Sequence, residues 1–339
     1  MKLIDNFMRF LFLLLFSVMM SSCAPHVSRL HQTETLSLQA RQFISRNTPP
    51  VFESPLAPST IPAIRETQQA AGAAERNDLR RTLLASTEWK SVGGVPVAVL
   101  TPRNIPGENK DKIALYVHGG GFALGNPDDA YAMRLAGLLQ MPVYAVCYRL
   151  APEHPFPAAL NDCLDVYAEL VKSHDPQRVV LFGGSAGGNL ALAMLLMADA
   201  AGLPMPAALG LSSPAADLTR TGDSYFANQG RDPVLQWDDL MEYFALAYAG
   251  GKNPKDPLLS PVYADFWPGF PPTLIITGTR DLFLSGCVRL NLVMRRAGVD
   301  VELLVWEGMF HGFDLIPDLP EGEDARREMA AFLLVEKSK

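Results

Sequence analysis

A serine flanked by glycines stands in the middle of the sequence. Residues 181–191 read LFGGSAGGNLA, so Ser185 occupies the centre of the pattern G-x-S-x-G between two apolar runs. This pattern exposes a nucleophilic hydroxyl when it joins a strand to a helix through a sharp turn. Glycine suits such a turn because it tolerates a strained backbone and lets the helix start close to the sheet. The N-terminus of that helix also brings free N–H groups near the hydroxyl.

A serine hydroxyl is a weak nucleophile at neutral pH and needs a neighbouring base. We predict that His311 is this base, because it follows the last predicted strand and precedes Gly312. A histidine on such a loop can reach back over the serine. The other histidines lie in the N-terminal segment, in polar or proline-rich connections, or at the head of a glycine cluster: His26, His31, His174, His154 and His118.

The base needs an acid that holds its tautomer and stabilises the imidazolium. Asp281 comes directly after the penultimate predicted strand, and the order Ser185, Asp281, His311 is the one expected of α/β-hydrolases. Asp217, after the strand at 207–211, is the alternative acid. Asp314 lies too close to the histidine in sequence to orient it comfortably. We therefore predict Asp281 as the acid.

A glycine cluster supplies donors for a developing oxyanion. His118 is followed by Gly119, Gly120 and Gly121 at the end of a predicted strand. We predict that the N–H groups of Gly119, Gly120 and Ala186 converge on one oxygen. The loss of one such donor typically costs roughly 3 kcal/mol of transition-state stabilisation.

The elements that would position these residues alternate along the chain. Short apolar or β-branched runs predict strands at 95–100, 113–117, 143–147, 179–182, 207–211, 273–277 and 301–305. Helical spacing predicts helices at 130–139, 158–171, 189–200, 237–249, 284–297 and 324–336. Apolar strands that alternate with helices predict an α/β fold, with a mostly parallel sheet covered on both faces. Sites in such sheets gather at the carboxyl ends of the strands.

The N-terminus has the pattern of an export signal. Basic residues precede a short apolar run, and two serines then precede Cys23. Residues 1–23 are similar to a lipoprotein signal peptide, in which Cys23 would be lipidated, and Ala24 favours the periplasmic side of the bacterial outer membrane. A plain signal peptide or an uncleaved anchor stays open. We expect a tether at 24–60 and helices at 61–90.

Composition limits the partners of the chain. The net charge of −7 over 339 residues argues against nucleic acid, which binds basic surfaces. The other cysteines, Cys147, Cys163 and Cys287, share no metal-ligand spacing with a histidine, and we expect them to be buried thiols. One disulfide dependent on export stays open. We predict no metal site and no cofactor, since no dinucleotide fingerprint is present.

Together the motifs resemble the hormone-sensitive-lipase-like family of bacterial esterases, from about residue 95 to the C-terminus. The family's HGGGF, YRLAPEHPFPAA, S-P-x-x-D-L-T and PPT segments are matched at 118–122, 148–159, 213–219 and 271–273. The resemblance implies an α/β-hydrolase catalytic domain at 91–339, a helical cap formed with residues 61–90, and a conformational role for Asp217. The chain departs from the family at Gly184, where many members have aspartate, and at Leu282-Phe283, where many read Pro-Leu.

The resemblance implies a serine carboxylesterase that acts on short- to medium-chain esters through an acyl-enzyme. The expected partner is a small uncharged ester, and a homodimer stays open. A lactone hydrolase with the same Ser185, Asp281 and His311 is the main alternative. An inactive, membrane-tethered binding protein is disfavoured, because no residue of the expected site is missing.

Overall fold

The computed structural model describes residues 33–47 and 56–335. The predicted signal peptide, including Cys23, lies outside the described residues. The chain divides into two units, residues 1–36 and residues 37–339. The description below concerns the second unit. Within the described ranges, no helix is both long and apolar enough to cross a bilayer.

One eight-stranded sheet forms the centre of this unit, in the order β1-β2-β4-β3-β5-β6-β7-β8. β1 and β2 pair with each other in antiparallel fashion, as do β2 and β4, and the other neighbours are parallel. The strands are β1 Leu84–Val92, β2 Val95–Pro102, β3 Ile113–Val117, β4 Val143–Val146, β5 Val179–Gly184, β6 Ala208–Ser212, β7 Thr273–Gly278 and β8 Val301–Trp306. The predicted mostly parallel sheet is confirmed.

Ten α-helices accompany the strands in the described residues. They are α1 Leu38–Arg46, α2 Ile61–Ala71, α3 Ala73–Leu83, α4 Ala130–Leu139, α5 Ala158–Ser173, α6 Ala186–Ala200, α7 Ser224–Ala227, α8 Glu242–Ala249, α9 Leu284–Arg296 and α10 Pro320–Leu334. All six helices predicted from the sequence are present, with ends that differ by a few residues.

Helices cover both faces of the sheet. A Cβ at Gly210 of β6 would meet the sulfur of Met329 on α10 at 2.2 Å, so this face of the strand packs directly under α10. Its neighbours Leu209 and Leu211 belong instead to the core that includes Leu190 of α6. This alternation follows from the strand geometry, in which successive side chains point to opposite faces.

The N-terminal part of the unit differs from the predicted layout. α1 lies within the predicted tether at 24–60, and the helices expected over 61–90 end at Leu83. Residues 84–92 form the edge strand β1, which pairs with β2 through a Gly93-Gly94 turn in which both glycines have positive φ. Most side chains of β1 are exposed or half-buried, so the strand lacks the apolar run that marks the buried strands.

A long connection, residues 213–272, joins β6 to β7, and we call it the insertion. It carries α7 and α8, and α8 is preceded by a single π turn at Trp237–Met241. The helix predicted over 237–249 is therefore present, but its first turn is a π-helix and the α-helix begins at Glu242. Tyr225, Trp237, Phe244 and Tyr248 of the insertion are buried in the core.

Candidate active site

Ser185 lies on a strained turn between β5 and α6. Its backbone angles are φ 53° and ψ −121°, a region that non-glycine residues rarely occupy. Its N–H donates to the carbonyl of Ser212 at 2.8 Å, which fixes the turn to the neighbouring strand. A Cβ at Gly183 would lie 2.7 Å from the carbonyl oxygen of Gly187, and one at Gly187 would lie 2.0 Å from that of Val117. The turn therefore requires glycine at both positions.

His311 lies within hydrogen-bond distance of both other predicted side chains, those of Ser185 and Asp281. The hydroxyl Oγ of Ser185 is 3.0 Å from Nε2 of His311. Nδ1 of His311 is 3.1 Å from Oδ1 of Asp281. The aspartate and the histidine are buried. In this arrangement the imidazole can accept the serine proton at one nitrogen while it donates to the carboxylate from the other.

The surroundings of Asp281 favour its ionised form. Burial alone would raise the pKa of this carboxyl, but the charge of His311 and hydrogen bonds from His311, the N–H of Phe283 and Ser213 outweigh it, so that the pKa lies below its ordinary value. The N–H of Phe283 donates to Oδ1 at 2.9 Å, and the hydroxyl of Thr277 donates to Oδ2 at 2.7 Å.

Burial and neighbouring charge act in opposite directions on His311. Burial lowers the pKa of the imidazole, and the charge and hydrogen bond of Asp281 raise it. Two further carboxylates, those of Asp232 and Asp314, also raise it, and the resulting pKa lies above the ordinary 6.5. The site therefore stabilises an imidazolium, the form that the histidine takes after it removes a proton.

The predicted oxyanion donors lie beside Ser185. We call residues 118–122 the glycine loop. A Cβ at Gly119 would be 3.0 Å from the carbonyl oxygen of Gly184 and 3.4 Å from Cβ of Ser185, so this loop lies directly beside the serine. Gly120 has a φ of 112°, which a side chain would disfavour. Ala186 is the first residue of α6, and a first helical N–H has no partner within its own helix. The loop and the helix terminus thus meet around the hydroxyl.

Comparison with known proteins shows the family of this chain. A family described as having the alpha/beta hydrolase fold matches residues 114–315, more than half of the chain. This chain belongs to the α/β-hydrolase family. An acetyl-hydrolase of Streptomyces hygroscopicus is 37% identical over 232 residues, which are 67% of this chain and 77% of that protein. An esterase of Acinetobacter venetianus is 36% identical over 225 residues, 65% of this chain and 74% of that protein.

Solved structures place the hydrolase among esterases. The crystal structure of esterase E25 has a TM-score of 0.83 and 35% identity, and the match covers 89% of this chain and 95% of that one. An esterase from the bacterial hormone-sensitive lipase family has a TM-score of 0.71 and 34% identity, with 81% and 96% covered. The protein is an ester hydrolase of the hormone-sensitive-lipase-like family, as its motifs suggested.

The alternative acids of this α/β-hydrolase serve other contacts. The carboxylate of Asp217 accepts hydrogen bonds from Thr219 and Thr221 and pairs with Arg289. Oδ1 of Asp314 accepts from the hydroxyl of Ser212 at 2.7 Å. Asp281 is the carboxylate that lies against Nδ1 of His311, in agreement with the sequence order.

The YRLAPEHPFPAA segment supports the glycine loop of the hydrolase. The ring of Tyr148 stacks on His118 with centroids 4.1 Å apart, and its hydroxyl donates to the carbonyl of His118 at 2.7 Å. Burial lowers the pKa of His118 to about 4, so this histidine is neutral at pH 7. Further along the segment, the carbonyl of Ala151 and the carboxylate of Glu153 both accept hydrogen bonds from Arg65 of α2.

Sequence reasoning missed one buried carboxylate near the site. Asp232, in the insertion, accepts hydrogen bonds from the N–H groups of Leu282 and His311, both at 3.1 Å. Its only local signal is an acidic residue before Pro233, a combination that is common in turns. Its contacts with the loops after β7 and β8 depend on the tertiary fold and leave no trace in the sequence pattern.

Proposed function

We propose that the protein is a serine carboxylesterase in which Ser185, His311 and Asp281 form the catalytic triad. The observation that carries the proposal is the continuous hydrogen-bonded chain from Oγ of Ser185 through both imidazole nitrogens to the buried carboxylate. The esterase and acetyl-hydrolase names of the relatives support the same class of reaction.

The reaction would proceed in two steps. Oγ of Ser185 attacks the ester carbonyl while Nε2 of His311 takes the hydroxyl proton. The imidazolium then gives this proton to the leaving alkoxide, the C–O bond breaks, and an acyl-serine and an alcohol result. In the second step His311 takes a proton from water, and the resulting hydroxide attacks the acyl-serine. The proton returns to Oγ, and the carboxylic acid leaves.

Two groups would stabilise charge during each step. The N–H groups of Gly119, Gly120 and Ala186 would donate to the oxyanion of the tetrahedral intermediate, a role that the closeness of the glycine loop to Ser185 supports. Asp281 would hold the N–H of Nδ1 and stabilise the imidazolium. The raised pKa of His311 supports this role.

We further propose that the N-terminal helices and the insertion form a cap that limits substrates to short- and medium-chain acyl groups. Aromatic side chains of both segments support this, since Phe43 of α1 stacks on Phe310 and Phe244 of α8 lies against Gly121 of the glycine loop. The acetyl-hydrolase name of one relative agrees with a small acyl group.

Hydrolysis of p-nitrophenyl esters from acetate to palmitate, with the purified full-length protein, tests this function. Turnover is expected to peak at short acyl chains and to fall by roughly 10⁴-fold or more in Ser185→Ala. Ser91→Ala, at an exposed serine of β1, is the matched control and should keep full activity. Full activity in Ser185→Ala would overturn the triad. Inactivity on all esters with turnover of lactones would favour the lactone hydrolase.

We also propose export and lipid anchoring through Cys23, which rest on the sequence pattern of residues 1–23 alone. In a bacterial host fed with labelled palmitate, the wild type should incorporate the label and appear in the membrane fraction. Cys23→Ser should lose the label. Equal labelling of the two proteins would overturn the anchoring proposal without affecting the esterase proposal.

A further inference from the structure

Asp232 is a fully buried carboxylate outside the three residues of the proposed triad. Its Oδ1 accepts from the N–H groups of Val234 and Leu235 at 2.9 and 3.1 Å, within its own turn. Its Oδ2 accepts from the N–H groups of Leu282 and His311, each at 3.1 Å. All four hydrogen bonds come from backbone N–H groups, and a carboxylate can accept all of them because both of its oxygens are acceptors.

The two partners of Oδ2 belong to the two loops that carry the acid and the base. Leu282 follows Asp281 directly, after β7, and His311 itself follows β8. These partners lie 50 and 79 residues from Asp232 in the sequence. We call the loop after β7, which carries Asp281, the acid loop, and the loop after β8, which carries His311, the base loop. Oδ2 of Asp232 therefore joins the backbones of these two loops. Its hydrogen bonds lie next to the one between the side chains of Asp281 and His311.

Asp232 also adds charge to this part of the molecule. Burial, and then the negative charge of Asp281, raise the pKa of Asp232 to about 6, while His311 and the turn N–H groups lower it. At neutral pH this carboxyl is therefore mostly ionised. The charged groups that face His311 are the carboxylates of Asp281, Asp232 and Asp314, and all three favour its imidazolium.

We propose that Asp232 is a positioning residue for ester hydrolysis. It holds the acid loop and the base loop in register and adds a negative charge that stabilises the protonated His311. The inference rests on the proposed triad of Ser185, Asp281 and His311. It makes the insertion part of the support of the reacting groups, in addition to its proposed role in limiting substrates.

Asp232→Asn tests both effects, because asparagine keeps the shape but has one acceptor oxygen and no charge. We expect kcat to fall by roughly 10- to 100-fold with KM little changed, since small displacements of reacting groups have costs of this size. The acid limb of the pH profile of kcat/KM should move to lower pH, because loss of the negative charge lowers the pKa of His311 and the base then stays neutral further into acid. The pH profile of kcat/KM reports the pKa of the base in the free enzyme.

Asp217→Asn is the matched control. Asp217 is equally buried and also lies in the insertion, but its carboxylate bonds to Thr219, Thr221 and Arg289 and not to the loops of the triad. This variant should lower Tm and leave the acid limb where it is in the wild type. A merely structural role for Asp232 would give the same pattern, with a lower Tm and an unmoved acid limb, and would overturn the proposal.

Asp232→Glu distinguishes the effect of the negative charge from the effect of the hydrogen-bond geometry. It also tests the proposal if Asp232→Asn does not fold. It keeps the charge but displaces the carboxylate by one methylene, so kcat should fall while the acid limb stays near its wild-type position. Wild-type kcat in this variant would overturn the positioning role. Activity in Ser185→Ala would overturn the triad itself, whereas an inactive Ser185→Ala with an unchanged Asp232→Asn would overturn only the role of Asp232.

Discussion

The loops that carry the proposed triad and the segments proposed to cover it are stabilised by different contacts. Around Asp281 and His311, buried carboxylates accept hydrogen bonds from hydroxyl and backbone N–H groups. The N-terminal helices and the insertion instead contact the glycine loop and its supports mainly through aromatic stacking and one arginine. Phe122 stacks on Tyr248 with centroids 3.8 Å apart, and Nε of Arg65 donates to the carbonyl of Ala123 at 2.7 Å.

This difference indicates how each region tolerates change. Hydrogen bonds to buried carboxylates have strict geometry, and a buried N–H that loses its acceptor costs about 1–3 kcal/mol. Aromatic contacts depend mainly on volume and area, so that replacements of similar shape are tolerated. We therefore expect substitutions in the triad loops to affect the reaction most, and substitutions in the covering segments to affect stability and substrate choice. The part of the insertion that bonds to these loops differs from the rest, because Asp232 accepts from the N–H groups of Leu282 and His311 and Asn228 donates to the carbonyls of Thr279 and Asp281.

Asp281→Asn should give the largest effect in this comparison. The amide cannot stabilise the imidazolium and can favour the wrong tautomer of His311, and such a change lowers kcat by roughly 10⁴-fold in enzymes with this triad. Steady-state kinetics with a p-nitrophenyl ester, beside Asp217→Asn as the control, measure it. Comparable losses in the two variants would mean that Asp281 is not the acid of the triad.

Tyr248 of α8 tests the covering segments. Its ring is buried between Phe122 and Phe156, and within the described residues its buried hydroxyl has no hydrogen-bond partner. Tyr248→Ala should therefore lower the free energy of unfolding by about 3–5 kcal/mol through the cavity that it leaves. Tyr248→Phe removes only this unpartnered hydroxyl and should leave stability unchanged or raise it, because no hydrogen bond is lost and a buried polar group is removed. Denaturant unfolding of both variants measures these values.

Comparison of Tyr248→Ala with Tyr248→Phe also shows whether the insertion supports the glycine loop through packing. If Tyr248→Phe were as destabilising as Tyr248→Ala, a polar contact of the hydroxyl would support the glycine loop, and the contrast between the two regions would fail. Under the packing account, Tyr248→Phe should also keep the acyl-chain preference of the wild type.

The contrast between these two regions also explains which parts of the molecule could be predicted from the sequence. Ser185, Asp281 and His311 each follow an apolar strand, and in a parallel sheet such positions meet at one edge, so local patterns and chain order were enough to bring them together. The fold class followed from the same strands. The edge strand β1 was missed because its mostly exposed side chains give no apolar run. Asp232 was missed because its partners are backbone groups distant in sequence.

Gly184 should give the smallest effect and separates the two glycines before the serine. Many family members have aspartate at this position, and a Cβ here would lie 3.6 Å from the carbonyl oxygen of Ser212, an ordinary contact. Gly184→Ala should therefore change the free energy of unfolding by less than about 1 kcal/mol, since the backbone here accepts alanine. Gly183→Ala, one residue earlier, would place its Cβ 2.7 Å from the carbonyl oxygen of Gly187 and should lower both stability and kcat. Thermal unfolding and ester hydrolysis of the two variants test this. Equal losses of stability and kcat in the two variants would show that the turn before Ser185 cannot accommodate a side chain at either position. Glycine at 184 would then be required by the backbone of this chain.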